Sequence, residues 1–216
     1  NSEIQGRGCC ALAFLSEGNS SNQTTIAAVS GIETVVKAMQ RHPGNGEIQG
    51  KGCWALALLS DEHSSNQTAI AAAAGIQTLV SGMQHHLGNS VVQGPGCWAL
   101  ALLSDKHWPN QTAISVGGGI KTIVEAMQQH PDDPEVQGKG CWALALLSDA
   151  HLSNQTAIAA GSGINAVVKA MQQHADDSRV QGRGCVTLAY LANDHLPNQM
   201  AIAAAGGIVA VVKAMQ

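Results

Sequence analysis

Four side chains recur together along this chain at spacings of three, four and three residues: Lys51, Trp54, Leu58 and Asp61. The set returns as Pro95, Trp98, Leu102 and Asp105, and again as Lys139, Trp142, Leu146 and Asp149. Toward the ends it varies to Arg7, Cys10, Phe14 and Glu17, and to Arg183, Val186, Tyr190 and Asn193. Such spacings put all four residues on one face of a helix. Each full set then offers an indole, flat and attractive to cations, between a basic residue and a carboxylate. That is chemistry for gripping another polypeptide, and the indoles are candidate hot spots.

Other reactive side chains recur with the same period. His63, His107, His151 and His195 form one row, and His42, His86, His130 and His174 another. A shared metal needs ligand atoms about 2.0–2.1 Å from one ion, whereas stacked helices stand about 8–10 Å apart. The histidines are therefore expected as turn and cap residues, with a pH-sensitive surface as the alternative. Five of the six cysteines, Cys9, Cys53, Cys97, Cys141 and Cys185, are spaced 44 residues apart. At a helix spacing they exceed the roughly 7 Å between Cα atoms that a disulfide spans, so they are expected as small core residues, with Cys10 as an exposed thiol. No CxxC pair supports zinc. Asn22, Asn66, Asn110 and Asn154 each open an Asn-Gln-Thr triplet of the glycan-acceptor form. Because the repeat itself generates them, helix capping is the expected role. Gly117 to Gly119 reads as an inter-helix turn, and the pairs Asp132–Asp133 and Asp176–Asp177 as charges complementing the next helix dipole. Active sites are singular and these features are periodic, so an enzyme is not expected, and neither is a cofactor or metal.

What positions these side chains is a segment repeated at an offset of 44 residues, marked by Gln5, Gln49, Gln93, Gln137 and Gln181. Asn66 is expected to cap a short helix, Gln67 to Ala74, which Gly75 ends. A second helix follows from Ile76, with Ile76, Leu79, Val80 and Met83 on one stripe. The loop His86 to Ser90 closes it; equivalent loops hold Pro43, Pro131 and Pro134, which prevent continuation. The third and longest helix runs from about Val91 to Ser104, with Val92, Gly96, Leu100 and Leu103 toward its neighbours. Gly96 and its copies Gly8, Gly52, Gly140 and Gly184 are expected to let two helix backbones approach closely.

Composition agrees with such an array. The 216 residues are 45% hydrophobic but only 3% aromatic, with 24 glycines, so small residues do much of the packing. A net charge of −4 without a basic cluster argues against a phosphate-tracking nucleic-acid binder. No run approaches the roughly 20 apolar residues of a membrane span.

Three helices in short, short, long order follow the armadillo plan. The run NQTAIAAAAGIQTLV at 66–80, followed by VQGPGCWALALLS at 92–104, resembles the armadillo consensus, and the resemblance covers essentially the whole chain. It is similar in particular to the near-identical armadillo-like arrays of single-celled eukaryotes. The resemblance implies an all-α fold: a right-handed α-α superhelix, or armadillo-type solenoid, of about five 44-residue three-helix repeats. It gives one domain over 1–216, with partial repeats at 1–21 and 198–216 and full repeats at 22–65, 66–109, 110–153 and 154–197. In armadillo arrays the face carrying the tryptophans lines a concave groove. The implied partner-binding set is Trp54, Trp98, Trp142, Leu58, Leu102, Leu146, Lys51, Lys139, Arg183, Asp61, Asp105, Asp149 and Tyr190. Nuclear-import adaptors carry an Asn four residues after the Trp, which grips the backbone of a basic ligand. Leucine stands there in this chain, which implies a greasier groove, suited to an apolar or helical partner segment rather than to a backbone-clamped basic peptide.

The functional expectation is a scaffold binding another protein or peptide segment, with no nucleic acid and no transmembrane segment. The alternative is a structural subunit docked through its ridges and ends into a large assembly, such as a cytoskeletal or photosynthetic one. The expected location is the cytoplasm, or an organelle assembly under the alternative. The chain opens in a third helix and stops in a second one, without an initiator Met. Both ends are therefore expected to expose packing surface that further repeats, a partner or a self-contact covers.

Overall fold

A computed structural model describes all residues, 1–216. Fifteen helices follow one another, three to a repeat. The first helices are α2 (Ser20–Ala28), α5 (Ser64–Ala72), α8 (Trp108–Val116), α11 (Leu152–Ala160) and α14 (Leu196–Ala204). The second helices are α3 (Gly31–Arg41), α6 (Gly75–His85), α9 (Gly119–Gln129), α12 (Gly163–Gln173) and α15 (Gly207–Ala214). The third helices are α1 (Ser2–Ser16), α4 (Gly46–Ser60), α7 (Ser90–Ser104), α10 (Pro134–Ser148) and α13 (Ser178–Ala192). Adjacent third helices make the widest contacts in the molecule, and Leu56, Leu59, Leu100 and Leu103 are wholly buried between them. One apolar core runs through all repeats. No single helix is long and apolar enough to cross a membrane.

The first helix of each repeat starts three residues earlier than the Asn caps predict. The cap of α2 is Asn19, whose Oδ1 accepts from the Asn22 N–H, and in the other four it is a histidine: Nδ1 of His63, His107, His151 and His195 accepts from the backbone N–H of Asn66, Asn110, Asn154 and Asn198. With Nδ1 an acceptor, the ring proton sits on Nε2 and donates to the hydroxyl of Thr24, Thr68, Thr112 or Thr156 in the preceding repeat. One imidazole thus starts its own helix and ties it to its neighbour. Replacing His107 by Ala removes both contacts and is expected to cost about 1 kcal/mol, the typical worth of a side-chain cap. Urea unfolding of the variant measures it; an unchanged midpoint would show the cap to be dispensable.

The asparagines turn inward instead. Asn66 Nδ2 donates to the carbonyl of Leu59 at the end of α4 and to that of Gln23 in the previous repeat, and Asn110 repeats the pattern. The adjacent glutamines reach forward: Gln67 Nε2 donates to the carbonyls of Leu102 and Asp105 in the next repeat. Helix ends leave such carbonyls without partners, so each Asn-Gln pair satisfies orphan acceptors on both sides. The buried Asn66, Asn110 and Asn154 are not positioned to carry glycans.

The glycines also serve otherwise than expected. Gly75 does not end α5 but opens α6; the left-handed residue is the one before it, Ala74, at φ 61°. A Cβ on Gly75 would lie 2.5 Å from Ile70 Cγ2 and 2.7 Å from its carbonyl oxygen. Gly52, Gly96, Gly140 and Gly184 do not bring two backbones together. Each leaves room for a methionine of the preceding second helix, Met83 Cγ lying 2.6 Å from where a Cβ of Gly96 would stand. Backbones do approach at Gly50, whose Cβ position is 2.6 Å from the carbonyl oxygen of Val91.

Candidate functional site

The third helices carry the Lys-Trp-Leu-Asp sets in rows across the stack. Trp54, Trp98 and Trp142 are half-buried, each packed on the core along one edge. Leu58, Leu102 and Leu146 are only 3%, 9% and 6% exposed. They belong to the core, which corrects the greasier groove: a partner laid on this face meets indoles and carboxylates, not these leucines. A third helix stacked on two others is enclosed through most of its circumference, so the fourth position after Trp is covered.

The basic residues of the set are not a free rim either. Lys139 Nζ lies 5.0 Å from the centre of the Trp98 ring, and the Arg183 guanidinium 5.9 Å from that of Trp142. Each cation therefore caps the indole of the repeat before it. Lys51 and Lys139 are also paired with Glu47 and Glu135, one helical turn earlier. Burial holds the Arg183 guanidinium below its ordinary pKa, and the charge of Arg179 adds to this. The succession breaks at Trp54. The residue in register to cap it is Pro95, which brings no charge, and the ring is met edge-on by Phe14 at 4.8 Å.

Beyond the indoles stand Asp61, Asp105 and Asp149, half-buried at the ends of α4, α7 and α10. None takes part in an ion pair, and their carboxylates accept no hydrogen bond. Burial raises the pKa of Asp61, with smaller contributions from Glu62 and from Asp105 one repeat away. A raised folded-state pKa means that the stability tied to Asp61 is present at low pH and lost as pH rises through it. At Asp61 ionisation thus carries an electrostatic cost that a positive charge beside it would relieve. Tyr190, half-buried, continues the leucine position into α13.

The cysteines are all free. Burial pushes the thiols of Cys53, Cys97 and Cys141 up to about 12, which makes them inert core residues. Cys10 is half-buried rather than an exposed thiol.

One surface feature escapes a reading based on what recurs. Trp108, Leu152 and Leu196 open α8, α11 and α14 at one repeat position and are all exposed. Trp108 stacks on His151 with ring centres 4.9 Å apart. In the earlier repeats this position is Ser20 and Ser64, so the signal lies in a departure from the repeat.

No protein-family model matches the sequence, and no curated protein does. Solved structures do. The chain is similar to an engineered protein of known crystal structure, with TM-score 0.87 and 28% identity over 99% of this chain and 83% of that one. It is similar to a designed armadillo repeat protein solved in complex with the peptide (KR)4, with TM-score 0.80 and 15% identity over 95% of this chain and 82% of that one. It is also similar to a structure from work on the interaction between cadherin and β-catenin, with TM-score 0.81 and 16% identity over 99% of this chain and 39% of that one. Three helices per unit, stacked third helices and these superpositions give one answer: the chain folds as an all-α solenoid of the armadillo type.

Proposed function

We propose that the chain is a binding scaffold that holds a partner polypeptide across its third helices, along Trp54, Trp98 and Trp142. The observation that carries this reading is the row of half-buried, unpaired carboxylates, Asp61, Asp105 and Asp149, beside those indoles. Partly buried charge without a partner costs stability, and a polypeptide bearing basic residues would offset it. The indoles supply area for the ligand's apolar stems, and Trp54, uncapped by any cation of its own chain, is the open position. An extended strand advances about 3.3–3.6 Å per residue, so each repeat addresses two or three of its residues. The armadillo neighbour solved with (KR)4 supports a groove of this kind without identifying the ligand. In this reading the chain is not an enzyme: the rows of histidines and carboxylates recur with the repeat instead of converging on one point.

The test begins with peptides selected from a random displayed library on the immobilised chain. Their affinities are then measured for the wild type and for a triple Trp54→Ala, Trp98→Ala, Trp142→Ala variant checked for helical content. Loss of at least about 30-fold is expected, the scale of hot-spot truncation, while Trp108→Ser binds as the wild type does. The reverse pattern would sink the groove and favour docking through the ridge of Trp108, Leu152 and Leu196, the observation that supports the alternative of a structural subunit.

A further inference from the structure

One seam of the stack departs from the repeat, and the departure opens a cavity. Where the other second helices carry Ala38, Ala126, Ala170 and Ala214, α6 has Gly82, and where they carry Lys37, Glu125, Lys169 and Lys213 it has Ser81. Both changes remove side chain from the joint between α3 and α6. A cavity of about 360 Å³ lies there, bounded by Met39, Pro43, Gln77, Ser81, Gly82 and His85, with Gln49 of α4 among its walls. Between α12 and α15, where Lys213 and Ala214 stand in register, the corresponding cavity is about 130 Å³. The larger volume falls in the range of small-molecule sites, and none of the indoles or carboxylates of the third helices lines it.

The polar atoms around this cavity are mainly acceptors without partners. Gln49 is 1% exposed, and its Nε2 donates to the carbonyls of Met39 and His42, which fixes the amide with Oε1 turned away from them. That oxygen is buried and accepts no hydrogen bond. A Cβ on Gly82 would stand 2.5 Å from it, so the glycine leaves open the space in front of the orphan acceptor. Gln93 has the same unpartnered oxygen, but the residue in register before it is Ala126. Gln40 and Gln77 spend their amide nitrogens on Thr78 and Ser81, which leaves their oxygens free. No Lys, Arg, Asp or Glu lines the cavity, so a charged guest would find no counter-ion, while Met39, Pro43 and Ala74 offer carbon surface. An acceptor buried without a donor costs stability, and a guest that brings the donor recovers it.

We propose that this cavity binds a small uncharged molecule carrying an amide or amino NH2 group on a compact carbon body. The N–H enters past Gly82 toward Gln49 Oε1, and the body lies against Met39, Pro43 and Ala74. The site is separate from the groove of the third helices and stands independently of the partner proposed for that groove.

Benzamide and adenine are the probes, and benzoate, similar in size to benzamide but anionic and without an N–H, is the control. Each is titrated to about 10 mM into the isotope-labelled chain, since ligands of so few atoms bind in the millimolar range. Saturable amide shifts at Gln49, Ser81 and Gly82 are expected with benzamide or adenine and not with benzoate. The decisive variant combines Ser81→Lys with Gly82→Ala. Both are residues that other repeats carry at these positions, and Gln93 keeps its bonds to Met83 and His86 in the seam that has Ala126, so circular dichroism is expected to show wild-type folding. Its affinity for the probe is expected to fall at least about tenfold. Ser81→Lys alone, at an exposed position, is expected to weaken binding in the same direction, while the triple Trp54→Ala, Trp98→Ala, Trp142→Ala variant binds the probe as the wild type does. Absence of saturable shifts with both probes overturns the proposal, as does benzoate binding as tightly as benzamide, or a double variant that keeps the wild-type affinity.

Discussion

Gly75→Ala is expected to destabilise the solenoid by about 3 kcal/mol, while Ala74→Gly beside it raises stability by about 0.5–1 kcal/mol. The added Cβ would stand 2.5 Å from Ile70 Cγ2 and 2.7 Å from the Ile70 carbonyl oxygen. The methyl is on a fully buried β-branched side chain, and the oxygen is backbone, so neither yields without moving α5 against α6. At Ala74 the balance is reversed. Its φ of 61° is one that L residues adopt at a cost of about 1–2 kcal/mol, and glycine removes that strain while losing part of the gain to unfolded-state entropy. The equivalent residues Gly118 and Gly206 already use this solution. Urea titration of both variants checks the pair. A Gly75→Ala protein within 0.5 kcal/mol of wild type would mean that the α5–α6 corner relaxes freely and that the close approach is no constraint.

Pro95→Lys is expected to stabilise the protein by about 2 kcal/mol, raising the melting temperature by about 5 °C. Pro95 lies inside α7, where it removes the hydrogen bond to the Val91 carbonyl and costs about 3 kcal/mol relative to a good helix former. Part of that cost is already accommodated, because the freed oxygen lies against Gly50 of the preceding repeat. A lysine restores the backbone bond and, by analogy with Lys139 over Trp98, places an ammonium on the Trp54 ring. A melting temperature at or below that of wild type would contradict this account. Under the proposed function the same substitution weakens partner binding, since it covers the open indole. Gain of stability with loss of affinity would mark Pro95 as residue that keeps one position free.

The three-helix unit was legible because self-similarity at 44 residues averages out local ambiguity, and each Gly, Met and Leu is confirmed several times over. What stayed hidden falls into two kinds. Caps and glycines were misassigned because local rules name the commonest role of a residue. His63 displaced Asn66 as cap only because a threonine in the preceding repeat holds the other ring nitrogen. The site was misjudged in depth: spacing gives the direction in which Leu102 leaves its helix but not how far its neighbours close over it. Lys139 reaching Trp98 depends on the offset between two adjacent third helices, which periodicity within one helix does not contain.

The forward and backward reach of Gln67 and Asn66 has a consequence for how such a molecule changes length. Every seam is closed by the same few side chains, all supplied by the units on either side of it. Duplicating or excising one whole unit in the gene therefore leaves each remaining seam as it was, with no new surface to invent. The reach of the array along an elongated target is then set by simple copying, independently of the chemistry that any single unit presents.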